Sequence, residues 1–179
     1  MRIVYALLLP LLLVACAQQG GKKKPSVSAG EAGKGAHVGK TMTVRTTAYS
    51  HLEAGGHRNA IGTRLSDGAV KSAASDWSRF PVGTKFKIVS SGEVRIIDDY
   101  GSALAGTSTI DLYKPGMRTM RAWGVRNIEI RILEWGSPRR SLEILSPRSR
   151  NRHVAKMVAS LRQQSTGIPK KSELRKKNP

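Results

Sequence analysis

The chain has 179 residues, with 31 Lys and Arg against 12 Asp and Glu, a formal charge of +19, and one cysteine. That length holds one modest domain plus tails, and a lone cysteine excludes a disulfide within the chain. The cation surplus is a statement about polyanionic partners rather than fold. Aromatics at 5% are too sparse for the stacking platforms of single-strand nucleic-acid binders.

The chain opens with one positive charge, Arg2, and an apolar run over residues 3–15. This run is shorter than the roughly 20 residues that span a bilayer. A charged start, a short apolar stretch and small residues at its end read as an export signal over residues 1–15. Leu13-Val14-Ala15-Cys16 matches the bacterial lipobox, so Cys16 is expected to carry lipid. Ala17 comes next, with no aspartate to direct retention at an inner membrane, and the expected address is the periplasm-facing outer membrane. Residues 16–40, with Lys22-Lys23-Lys24 and few large apolar side chains, read as a lipidated flexible tether. Export removes nucleic acid from the partners. The anions left are lipid headgroups, cell-surface polymers and the carboxylates of peptidoglycan.

Order is expected from Thr41. Thr41 to Tyr49 is β-prone with polar punctuation, and Gly55-Gly56 and Gly62 break the next stretch into a loop. Phe86 to Val89 and Glu93 to Ile97, joined by Ser90-Ser91-Gly92, read as a hairpin. Pro115 to Trp123 reads as one short helix. Asn127 to Leu133 alternates polar and apolar strictly, the clearest half-buried strand in the chain. Short strands with glycine-rich corners indicate a small β-barrel or sandwich over residues 41–136. Residues 137–179 read as a basic tail, in which Val154, Met157, Val158 and Leu161 fall at helical spacing and mark a short amphipathic helix.

Three segments end apolar stretches in aspartate at a turn: Ala74-Ser75-Asp76, Ile97-Asp98-Asp99-Tyr100-Gly101 and Ile110-Asp111-Leu112-Tyr113. One such aspartate is ordinarily a cap or turn-former. A small barrel, however, brings several strand ends to one mouth. Carboxylates gathered there cannot all ionise freely, and one that keeps its proton is what glycosidic bond cleavage requires. The four histidines show no metal-ligand spacing, and the glycines at 101–106 are not followed by a Gly-Lys-Ser/Thr phosphate loop. No metal or cofactor is expected.

The ordered set Ala74-x-Asp76, Pro81-x-Gly83-Thr84, Asp99-x-Gly101, Ile110-Asp111-Leu112-Tyr113 and Trp123-Gly124-Val125 resembles the 3D domain, a family named for three aspartates. The resemblance covers roughly residues 43–133. It implies a six-stranded double-psi β-barrel, the fold of certain lytic transglycosylases. It further implies that Asp111 is the acid/base, with Asp99 and Asp76 raising its pKa and holding the sugar. Asp98 competes with Asp99 for the second role; Thr84 and Tyr113 are candidates for the groove wall. This chain has Asp99-Tyr100-Gly101-Ser102 where the family usually has Asp-Thr-Gly-Gly, and a longer interval to Asp111. The expectation is a lipoprotein that cleaves peptidoglycan between N-acetylmuramic acid and N-acetylglucosamine, leaving a 1,6-anhydro product. The alternative is a non-catalytic, expansin-like wall-binding module.

Overall fold

Residues 36–53 and 55–166 are described by a computed structural model. Six strands, β1 (Thr41–Tyr49), β2 (Val70–Ala74), β3 (Lys85–Ile88), β4 (Val94–Asp99), β5 (Ile110–Tyr113) and β6 (Arg126–Glu134), close into a barrel in the order β1-β5-β2-β4-β3-β6. The fold is mainly β, as expected. Strands β1 and β5 run parallel, as do β2 and β4, while the other neighbours are antiparallel. Exchanging every strand with the one three places later leaves both the order and the directions unchanged. The barrel therefore has a two-fold symmetric topology in which each half of the chain supplies three strands and both parallel pairs join one half to the other, the arrangement a double-psi barrel requires.

Alternation sets what each strand buries. In β1, Val44 and Thr46 point inward, while Arg45 is exposed and Thr47 and Tyr49 are half-buried. In β5, Ile110 and Leu112 are inside and Asp111 lies between them on the outer face. The interior is filled by Phe86, Ile88, Ile97, Ile130 and Ile132, each 1% exposed or less. Three short helices complete the fold: α1 (Met117–Trp123), α2 (Pro138–Leu145) and α3 (Arg152–Thr166).

The expected boundary at residue 136 is not where the core ends. Ser137 caps α2, its Oγ accepting from the Arg140 amide, and Pro138 sits in the first turn, where its missing N–H leaves no bond unmade. Leu145 from α2 and Val154, Met157, Val158 and Leu161 from α3 are buried in the same hydrophobic cluster as Trp77, Phe80 and Val82. The apolar stripe was legible in the sequence, but its docking reverses the reading of 137–166 as a tail. Gly136 makes the junction: a Cβ there would collide with the Pro81 and Val82 carbonyl oxygens and the Thr84 amide. Residues 1–35, including Cys16, and 167–179 lie outside the described residues.

Candidate functional site

Parallel pairing of β1 with β5 sets Thr47 beside Asp111 and Tyr49 beside Tyr113. On its other side Asp111 is opposite Ala74 of β2. Ala74 in turn is opposite Asp99 of β4, because a register shift after Ala73 passes over Asp98. This bulge turns Asp98 into the protein and brings Asp99 to the surface, the re-aiming that bulges provide. Asp99 and Asp111 thus flank one alanine from two strands. Their Cα atoms are about 10 Å apart, two strand spacings, with only a methyl group between them.

Both carboxylates line one open groove of about 710 Å³, together with Arg45, Thr47, Tyr49, Glu53, Arg58 and Ala74. Asp99 is held on both oxygens. Its Oδ1 accepts from the Ala60 amide at 3.0 Å and the Tyr100 amide at 2.9 Å, and its Oδ2 accepts from the Tyr49 hydroxyl at 3.3 Å. Burial nevertheless pushes its pKa up to about 6, with the Asp98 charge adding to the rise. Tyr49 is half-buried beside three carboxylates; partial burial first, then the charges of Asp99, Asp98 and Asp111, raise its pKa and keep it a donor.

Asp111 is held differently. Its Oδ1 accepts from the Thr47 hydroxyl at 2.7 Å, and its Oδ2 receives no donor among the described residues. Burial raises its pKa, the Thr47 bond opposes the rise, and the Glu53 charge adds to it. The charged neighbour acting on Asp111 is therefore Glu53, where the resemblance implied Asp99 and Asp76.

The other candidates serve the scaffold. Asp76 is 2% exposed; its Oδ1 accepts from the amide and hydroxyl of Ser78, both at 2.7 Å, and its Oδ2 from the Gly106 amide. It ties the turn after β2 to the loop before β5 and does not line the groove. Asp98 is also buried, with Oδ2 accepting from Asn59 Nδ2 at 2.9 Å and Ser72 Oγ at 2.7 Å. Burial raises its pKa, and these bonds oppose the rise. Thr84, fully buried, donates to the Pro81 carbonyl and accepts from the Gly136 amide, fastening the barrel to α2. The Tyr113 hydroxyl pairs with His51 Nδ1 at 2.6 Å, off the groove wall.

Thr47, Tyr49, Glu53 and the Ala60 amide were not singled out from the sequence. Thr47 and Tyr49 share the outer face of β1 with Arg45, and their alternation was visible. What was not visible was that β5 lies alongside. Among the described residues no group of three or more His, Cys, Asp or Glu is placed to hold a metal ion. No protein-family model matches the chain, and a search of curated proteins returned no relative.

Proposed function

We propose that the groove cleaves peptidoglycan strands between N-acetylmuramic acid and N-acetylglucosamine, as a lytic transglycosylase of the three-aspartate type. One observation carries the reading: Asp99 and Asp111, both with pKa values raised by burial, flank Ala74 on the wall of one open groove. A glycan needs an open cleft, and cleavage of its linkage needs a carboxylic acid beside a carboxylate.

The roles come from the hydrogen bonds. Asp111 has a free oxygen toward the groove and is the acid: its proton passes to the glycosidic oxygen as the C1–O bond breaks. Burial raises the pKa of Asp99 more than that of Asp111, yet at about 6 it leaves Asp99 mostly ionised at neutral pH. Held by donors on both oxygens, two amides and Tyr49, Asp99 is the carboxylate that faces the positive charge developing at C1. Asp111, now ionised, takes the proton of the muramoyl 6-hydroxyl as that oxygen bonds to C1. The 1,6-anhydro ring closes, no water is consumed, and the acid is regenerated.

The same reading gives Cys16 its lipid and the residues after it the role of a tether. That tether ends short of the expected residue 40, because His37 stacks on Trp135 and the Gly39 amide donates to the Ile132 carbonyl. From an outer-membrane anchor, such a tether lets the barrel search nearby wall, with the basic C-terminal residues near anionic lipid or surface polymers. No helix among the described residues is long and apolar enough to cross a membrane. Globomycin should accumulate the unprocessed chain; normal processing in its presence refutes the anchor.

Purified sacculi incubated with the protein and analysed by mass spectrometry test the reaction. Anhydromuropeptides are expected from the wild type and none from Asp111→Asn. Retention on sacculi without soluble product would replace the enzyme with a wall-binding module. Neither product nor retention would refute both.

A further inference from the structure

The outer face of β1 carries a third side chain in line with Thr47 and Tyr49. Arg45 is exposed, about 7 Å along the strand from Thr47, and its Nη1 donates to Thr109 Oγ1, just before β5, at 3.3 Å. Arg58, from the loop that also supplies Glu53, lines the same groove, its Nη1 donating to the Gly62 carbonyl at 2.7 Å. Each guanidinium is oriented by one neutral acceptor. Among the described residues neither has a carboxylate within salt-bridge distance, whereas Lys71, Lys85, Arg95, Lys114 and Arg139 all do.

That is an unusual use of two cations in a groove holding Asp99, Asp111 and Glu53. Neither is bonded to Asp99, Asp111 or Glu53; their acceptors are the neutral Thr109 hydroxyl and Gly62 carbonyl. The guanidiniums keep most of their five donors each, in the planar fork that matches a carboxylate.

We propose that Arg45 and Arg58 form an anion subsite that selects glycans bearing carboxylates over neutral glycans of the same backbone. This rests on the reading of the groove as a glycan site. Two sources supply the chemistry: the free lactyl carboxylate of a peptide-stripped strand, and the carboxylates of attached stem peptides. Arg45 adjoins the Thr47–Asp111 rung on β1 and engages a carboxylate on a sugar next to the cleaved linkage. Arg58 is on the loop and meets what projects from the strand.

The test is retention of the full chain, in neutral detergent and in an Asp111→Asn background so that no ligand is consumed. Three ligands are compared: peptide-stripped strands, stem-bearing strands, and N-acetylglucosamine oligomers, which carry no carboxylate. Retention of one or both carboxylate ligands should exceed that of the neutral oligomer by about tenfold and fall with added salt. Which ligand leads names the source. Arg45→Gln with Arg58→Gln should bring retention down to the neutral level. Arg118→Gln with Arg121→Gln, which removes the same charge from exposed positions on α1, should leave it unchanged.

Equal retention of all three ligands, or none of any, overturns the subsite, as does an equal loss in the α1 control. Failure of the reaction looks different: selective retention by the wild type with no anhydro product removes catalysis and leaves the subsite standing.

Discussion

The Thr47 hydroxyl donates to Asp111 Oδ1 at 2.7 Å from the facing position of a parallel strand. This bond favours the ionised carboxyl and opposes the burial that raises its pKa. Thr47→Val keeps the β-branched shape and removes the donor, so the Asp111 midpoint should move further up. Carbon-detected NMR titration of the side-chain carboxyl reads it directly. A midpoint that stays or falls would show that the bond does not tune the acid.

Asp99 links the groove to stability. Its folded pKa, about 6, exceeds the ordinary 3.8, so the folded chain binds this proton more tightly than the unfolded one. The resulting stability is fully present below 3.8 and is lost as pH rises through about 6. The full difference corresponds to about 3 kcal/mol, which solvent at the groove reduces to about 1–2 kcal/mol. Asp99→Asn keeps the acceptor for Ala60 and Tyr100 without the charge. It should raise the unfolding free energy by that amount near pH ~7.5, lose the advantage near pH ~4, and abolish cleavage. Denaturant melts at both pH values decide, and an equal effect at the two would contradict the assignment.

Asp76 should separate from Asp111 in the same assays. Asp76→Ala leaves the Ser78 amide and hydroxyl and the Gly106 amide without their acceptor. Unmet buried donors put the loss at about 3 kcal/mol. Asp111→Asn, with one hydrogen bond at stake, should change stability by less than about 1 kcal/mol while removing product. If Asp76→Ala melts like the wild type and only activity falls, Asp76 belongs to the chemistry.

Met157 tests whether α3 is core. It is fully buried in the hydrophobic cluster that also holds Trp77, Phe80 and Val82. Met157→Ala should cost about 2–5 kcal/mol by lost burial and the cavity left behind. A chain ending at residue 137 should show no cooperative melt. A cooperative barrel from that truncation would restore the boundary at 136.

The sequence disclosed the elements whose period is intact. Strand β1 is found at its expected bounds, β6 runs one residue further at each end than its alternating stretch, and the hairpin is present as β3 and β4. Strand β2 was illegible: Val-Lys-Ser-Ala-Ala has weak β-propensity and no alternation, and it is a strand because β4 and β5 lie on either side. The bulge after Ala73 exists only in that pairing. Local spacing alone therefore left Asp98 and Asp99 as rivals, and the family-like Asp-x-Gly order pointed to the one at the groove. After 137 the apolar spacing of α3 was legible, but α2 and the docking of both helices were obscured by charge, since many exposed arginines surround the five apolar side chains that dock.

The two-fold order of the strands has a consequence for how such a site is divided. Exchanging each strand with the one three later carries the pair Thr47–Asp111 onto the pair Asp99–Ala74. The first half of the chain places a hydroxyl and a methyl at these positions, and the second half places a carboxylate at both. Symmetric geometry with asymmetric chemistry means that the halves are not interchangeable. One is the acidic jaw, the other the neutral seat, and a strand of sugar lying across them meets a different chemistry from each.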